Sequence, residues 1–378
     1  MYIEINITII YKENRKSYMH KISCKYCNTS LRVRKFTPGF EYTCPKCNGL
    51  VHRSGASDTA IIIMSFSTLI IFYWMITSDV LTVTLIDTKS RSIMDSIVIL
   101  FQDDYPVSAG VLLLTVVLIP ILMIVLIHLI IFGQRLNIPQ NILRGAIKLY
   151  DNIKYWNMAE VYLIGILISM VKLEELTTMQ INLGFWVTLM YVVMFYLTLM
   201  WFNPHEIINT LDIKEKDENA MFKSCMYLVL AIIFIIPSNV LPIMPTYKFG
   251  VEYNNTIYGG IQALWEDKDY FIALVIFFTS ICIPLLKIIS VLIMILMAKY
   301  GILENYKKAM TIYYRVNDAW GKYSMLDVFV VVIAAAFVQF DQLVRIESGT
   351  AIMPFTLVVF FTMMASKSFD VRLIWEKK

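Results

Sequence analysis

The sequence predicts an all-α integral membrane protein of eight transmembrane helices, arranged as two tandem four-helix modules of the same orientation. Three observations carry that expectation: the composition, an internal repeat, and the sidedness of the basic residues. Hydrophobic types make up 58% of the 378 residues and charged types only 16%, against roughly a quarter charged in soluble domains. Mean hydropathy is +0.64. A soluble fold has no surface for so much apolar side chain, and the excess is gathered into long runs rather than spread at core periodicity. Six cysteines are too few for a disulfide scaffold in a chain of this length.

The runs are located by the requirement that a bilayer core about 30 Å thick takes around 20 mostly apolar residues per helix. Eight segments qualify: Ala60–Thr77, Val111–Phe132, Trp156–Met170, Gly184–Phe202, Ser224–Ile243, Phe271–Ala298, Tyr323–Phe340 and Ala351–Ser366. Residues 1–59 lack an apolar stretch of signal-peptide length and are expected to be retained, with the first span acting as the insertion signal. Four regions follow. Residues 1–59 form a cytoplasmic region, 60–202 the first module, 203–223 a cytoplasmic linker, and 224–378 the second module with the C-terminal tail.

With eight spans, both termini lie on the side of the loops after spans two, four and six. That side holds 26 Lys and Arg residues, the opposite loops hold 6, and Lys287 lies within a span. Basic residues stay on the cytoplasmic side. Both termini are therefore expected in the cytoplasm of a multi-pass protein.

The repeat is visible without gaps over 32 residues. At a shift of 164, Ile97, Leu100, Asp103, Ala109, Val111, Thr115, Ile119, Pro120 and Leu122 meet identical residues in 256–287. At a shift of 167, Met158, Val161 and Val171 recur as Met325, Val328 and Val338, and Glu160 recurs as Asp327. Matches in a loop, at a proline and at a carboxylate separate duplication from the generic likeness of two Leu/Ile-rich spans. Each copy holds an even number of spans, so the copies share one orientation, unlike the inverted repeats of many transporters. Each module also has one long extracytoplasmic loop, 78–110 and 244–270. In these, Val80–Ile86 and Tyr247–Tyr253 are β-prone and are followed by a segment able to form a short helix.

In the N-terminal region, Cys24-Lys-Tyr-Cys27 and Cys44-Pro-Lys-Cys47 are two CxxC pairs separated by 16 residues. Paired thiolates on two turns supply the four tetrahedral ligands that zinc prefers, at zinc-ribbon spacing. The expectation is one structural zinc per chain, with iron in a rubredoxin-like site as the alternative. A redox pair is disfavoured where thiols stay reduced. Between the pairs, Leu31–Phe36 and Phe40–Thr43 alternate as the arms of a hairpin turning at Pro38-Gly39.

Ionisable groups inside a span are costly and are functional candidates. Lys287 in span six follows Pro284, whose ring frees a backbone carbonyl. It lies about 11 residues, roughly 16 Å, from the cytoplasmic end. Asp327 in span seven is its nearest candidate partner, and Glu160 holds the matching place in span three. The first module has Met123 where the second has Lys287, so His128, further along span two, is expected to partner Glu160. Walker, GxSxG, HExxH and dinucleotide signatures are absent from the sequence. The chain reads as a non-enzyme, and nothing in it points to nucleic acid.

Together, the CxxC pairs, Pro284-Leu-Leu-Lys287, Tyr323-Ser-Met-Leu-Asp-Val-Phe329 and Ser368-Phe-Asp-Val-Arg-Leu-Ile-Trp375 resemble the paraquat-inducible protein A family of inner-membrane proteins, over nearly the whole chain. The resemblance implies a Gram-negative inner-membrane location. It also implies work beside a periplasmic MCE-domain protein that forms a lipid tunnel between the two membranes, with phospholipid passed to or from that tunnel. The polar network would comprise Lys287, Asp327, Pro284 and Ser324, with Glu160 and His128 in the first module. The chain departs from longer relatives in that Asn203–Lys223 carries no second CxxC set. The competing readings are a stand-alone, ion-coupled exporter of small toxic molecules and a cysteine-based redox sensor.

Overall fold

The computed structural model describes residues 20–33, 41–53, 57–84, 88–173, 178–204, 219–248, 251–266, 268–301, 304–337, 339–340 and 344–375. The first strands surround the cysteine turns: β1 (His20–Ser23) pairs with β2 (Ser30–Val33), and β3 (Glu41–Thr43) pairs with β4 (Leu50–Arg53). This corrects the expected hairpin. Segments 31–36 and 40–43 do not pair with each other among the described residues, because each strand folds back across its own CxxC turn. The Pro38-Gly39 turn lies outside the described residues.

The first half then runs α1 (Asp58–Thr77), β5 (Leu81–Thr84), β6 (Thr88–Arg91) and α2 (Ile93–Gln102). A long broken helix follows: α3 (Pro106–Leu112), a π-helical turn at Leu113–Leu118, and α4 (Ile119–Arg135). After it come α5 (Gln140–Ile153), α6 (Ala159–Leu173), β7 (Thr178–Ile181) and α7 (Leu183–Trp201). The second half repeats this order. It runs α8 (Ala220–Val240), β8 (Met244–Lys248), β9 (Val251–Asn255), α9 (Ile257–Glu266) and α10 (Tyr270–Phe277). A π turn at Phe278–Cys282 leads into α11 (Ile283–Tyr300), then α12 (Lys307–Trp320), α13 (Leu326–Phe337), β10 (Gln339–Phe340), β11 (Val344–Ile346), α14 (Ile352–Ser368) and α15 (Arg372–Trp375).

The correspondence extends to single hydrogen bonds. Ser92 caps α2 by accepting from the Asp95 amide at 3.1 Å, and Thr256 caps α9 by accepting from the Gly259 amide at 3.1 Å. Asp104 and Lys268 both take left-handed backbone angles, φ 63° and 70°, at the matching exit from these helices. Both π turns precede a proline, Pro120 and Pro284, where a missing amide N–H breaks the regular ladder. Each long loop supplies a hairpin, and the short loop late in the same half adds one strand in the first half and two in the second, giving orders β6-β5-β7 and β9-β8-β11-β10. The strands and short helices expected in the long loops are therefore present.

Five helices among the described residues are long and apolar enough to cross a membrane: Asp58–Thr77, Pro106–Gly133, Leu183–Trp201, Ala220–Val240 and Ala273–Tyr300. Lys307–Asn317 and Gly321–Phe337 meet that test jointly across a 44° bend, and Ile352–Ser368 is a shorter apolar helix. The protein is thus a multi-pass, mostly helical membrane protein. Outward faces such as Ile63, Phe66, Ile70 and Tyr73 on α1, and Phe222, Val229 and Ile236 on α8, are large, apolar and exposed, as surfaces meeting lipid tails are.

The core lies where the halves meet. All twelve residues of α13 are buried, which is why Leu326–Phe337 is apolar on every side rather than along one stripe. It packs on α6, its counterpart in the first half, and Ser169 donates to the Val330 carbonyl at 3.3 Å across the contact. The Arg91 guanidinium of β6 donates to the Ala336 carbonyl at the far end of α13.

Two helices were not foreseen. The segments 140–153 and 307–320 are polar enough to read as loops, yet they form α5 and α12. In α5, Leu143, Ala146, Ile147 and Tyr150 recur at helical spacing and are buried.

Candidate functional site

The cysteine cluster is built by two near-identical turns. Asn28 donates its amide to the Cys24 carbonyl and Asn48 to the Cys44 carbonyl, both at 2.8 Å, and both asparagines sit at φ 55°. Each turn aims two thiols inward. Cys24 and Cys47 sulfurs lie 3.5 Å apart and Cys27 and Cys44 sulfurs 3.6 Å apart, and all four cysteines are buried with their sulfurs within 4.8 Å of one another. Tetrahedral sulfurs on a single zinc-sized ion stand about 3.8 Å apart, so the donor set and its dimensions fit a metal ion. A Cβ on Gly49 would come within 2.4 Å of the Tyr26 ring. Only glycine lets the first turn's tyrosine lie across the second turn.

Before metal binds, the thiols differ. Hydrogen bonding to Cys27 pushes the Cys24 thiol up to about 11, and hydrogen bonding from Cys24 holds Cys27 well below the usual thiol range, aided by Thr29 at 3.1 Å. Cys47 is pushed up, chiefly by its hydrogen bonds to Cys24 and Cys27. The raised thiols must release their protons to become ligands.

The second constellation surrounds Lys287, which is 1% exposed in α11. Its Nζ donates to the Gly321 carbonyl at 2.7 Å, and Ser324 Oγ donates to the same carbonyl at 2.7 Å. A Cβ on Gly321 would stand 2.6 Å from that Nζ, so a side chain here would push the ammonium out of its present position. Asp327, also buried, accepts from Ser280 Oγ on the π turn before Pro284. Beside Lys287 lies a cavity of about 10 Å³, lined by Tyr155, Trp156, Asn317, Gly321 and Ser366 among others. That is room for about one water molecule, and the buried Ser366 hydroxyl has no partner in the structure.

Glu160 and His128 do not meet, which corrects the expected pairing. His128 Nε2 contacts Ser65 Oγ at 3.2 Å, its Nδ1 meets the Ile124 carbonyl at 2.8 Å, and its ring lies between Phe66 and Phe132. Glu160 instead forms an ion pair with Lys322, just before α13, and Lys322 also donates to the Tyr196 hydroxyl at 2.6 Å. The carboxylate left without a lysine inside its own half takes one from the other half.

Sequence reasoning missed Gly321, Ser280, Lys322 and Ser366. Ser280 carried a usable signal, because it stands seven residues before Lys287 and so shares its helix face. Lys322 stands among the loop bases in sequence, next to the start of span seven, and nothing there marks it as a partner of Glu160.

Comparison with known proteins follows the same outline. The family model described as Paraquat-inducible protein A matches residues 59–212 and 222–378, one match per half. The Intermembrane transport protein PqiA of Escherichia coli strain K12 is 25% identical, over 94% of this chain and 96% of its own length. A probable intermembrane transport protein of Haemophilus influenzae is 24% identical over 94% and 95%. The Lipophilic envelope-spanning tunnel protein A of Escherichia coli K12 is 21% identical over 93% and 90%. No solved structure matches the chain.

Proposed function

The chain belongs to the paraquat-inducible protein A family, and from that premise we propose that it is the inner-membrane subunit of an envelope lipid-transport system. It passes phospholipid or a similar lipid to or from a periplasmic MCE-domain tunnel protein, and it moves lipid without converting it. The names of its relatives, an intermembrane transport protein and an envelope-spanning tunnel protein, support that role. The matched element order supports eight spans in two same-orientation modules, and the concentration of Lys and Arg on one side supports both termini in the cytoplasm. Four buried thiols of the observed dimensions support one structural zinc, which when bound ties the two turns together.

The single observation that carries a transport site is Lys287. A lysine 1% exposed in an apolar helix is expensive to maintain, and here it has a dedicated glycine carbonyl. A buried cation beside an orphan hydroxyl attracts the phosphate of a lipid headgroup, and because the cavity there holds only about one water, the helices around it must part for a headgroup to enter. A photo-crosslinking side chain at Met363, which lines that cavity, tests this. Phospholipid adducts on the purified protein are expected, and their absence alongside adducts from lipid-facing Ile63 would refute the site.

A further inference from the structure

Helix α12 lies between the cysteine ribbon and the Lys287 site and touches both. On the ribbon side, Arg315 Nη1 donates to the Asn48 carbonyl at 2.7 Å, and its guanidinium stands 5.4 Å from the centre of the Tyr26 ring. Tyr26 lies inside the first CxxC turn, and Asn48 closes the second. Trp375 of the tail completes the contact. It packs against the four cysteines, its ring lies 4.9 Å from Lys46 Nζ, and its Nε1 donates to Thr311 Oγ1 of α12 at 3.0 Å. On the membrane side, Asn317 donates to Ser290 Oγ at 2.7 Å, one turn along α11 from Lys287. The next segment begins at Gly321, whose carbonyl holds the Lys287 ammonium. Tyr314 further donates to the Ser366 carbonyl at 3.1 Å, beside the same cavity.

We propose that metal occupancy of the ribbon sets the position of α12 and, through it, the Gly321–Lys287 contact, so that the ribbon is a metal-dependent clasp on the polar site of the second half. This rests on the reading of the four cysteines as a metal site. Among the described residues, the ribbon's buried apolar positions are the four cysteines, packed with Tyr26, Leu31, Val51 and Trp375. A unit with so small a core depends on its metal for its shape. Without metal, the turns that aim the Asn48 carbonyl and the Tyr26 ring at Arg315 lose their constraint. Helix α12 leaves Ile312, Tyr313 and Val316 exposed, so contacts on its other side decide where it sits. Coupling of this kind needs a physical element that both sites bias, and α12 is that element.

The test is hydrogen–deuterium exchange on the full-length protein in detergent, zinc-loaded and chelated, with zinc measured in the same samples. Chelation is expected to speed exchange at least about tenfold across residues 307–325 as well as within the ribbon. Arg315→Ala, which leaves every ligand in place, is expected to retain one zinc and to speed exchange over 307–325 alone. If the protein binds one zinc but chelation alters only residues 20–53, the clasp is wrong and the metal site stands. If purified protein refolded with excess zinc binds none, both fall.

Discussion

Glu160 of the first half and Lys322 of the second form an ion pair across the junction of α6 and α13, with side-chain exposures of 9% and 22%. Neither half can satisfy these two groups alone. In such surroundings, removing one partner leaves an uncompensated charge and costs about 3–5 kcal/mol, while replacing both with uncharged groups of similar shape is far milder. Lys322→Met alone should therefore lower the midpoint of thermal unfolding in detergent more than the Glu160→Gln/Lys322→Met double variant does. Equal losses from the single and double changes would remove the pair from the account of how the halves are joined.

Gly321→Ala should displace the Lys287 ammonium from its carbonyl, because the new Cβ would stand 2.6 Å from Nζ. The expected result is a protein that inserts and purifies but loses most of its lipid-transfer activity. Combining it with Lys287→Ala should restore stability without restoring activity. A Gly321→Ala protein with full activity would show that the contact has no functional weight.

Lys287→Ala and His128→Ala should separate cleanly. Lys287 holds the polar site together, whereas His128 bonds Ser65 and a carbonyl of its own helix. Growth of cells under envelope stress should fail with the first variant and be nearly normal with the second. Equal tolerance of both would argue against a polar transport site here.

Purified protein should carry one equivalent of zinc, and binding should release protons. Hydrogen bonding within the cluster raises the Cys24 and Cys47 thiols and lowers Cys27, and a thiol must lose its proton to become a ligand. Protons therefore compete with metal, and apparent affinity falls as pH falls. Calorimetric titrations in buffers of different ionisation enthalpy measure the release directly. A pH-independent affinity between 6 and 8, roughly the range bracketing neutrality for thiols displaced by a metal, would contradict this ligand set.

Much of this was legible in the chain, and the rest was not for identifiable reasons. The CxxC pairs declare their chemistry by residue type, and the observed cluster joins all four. Strand pairing is not legible there, because alternation in Leu31–Phe36 shows that a strand forms but not which neighbour it takes. Leu31 in fact faces Ile22, across the turn that carries the ligands. The apolar runs located the five helices that, among the described residues, are long and apolar enough to cross a membrane, and the Asp103 and Pro120 matches exposed the repeat. Helices α5 and α12 were hidden by their Lys, Arg and Asn content, which counts as loop in any hydropathy window. Lys287 was visible as a charge in a span. Its carbonyl at Gly321 was not, because a backbone acceptor leaves no mark in composition. The repeat pairs Glu160 with a residue of its own half, and the contact between halves that supplies Lys322 has no signature along one chain.

The proposed role in envelope lipid transport is tested most directly by isolating the tagged protein from its native envelope in mild detergent and identifying bound proteins and lipids together by mass spectrometry. The account predicts recovery of a periplasmic MCE-domain protein with phospholipid, and loss of the phospholipid but not the protein partner from Lys287→Ala. Recovery of neither partner nor lipid would contradict it and favour a stand-alone exporter.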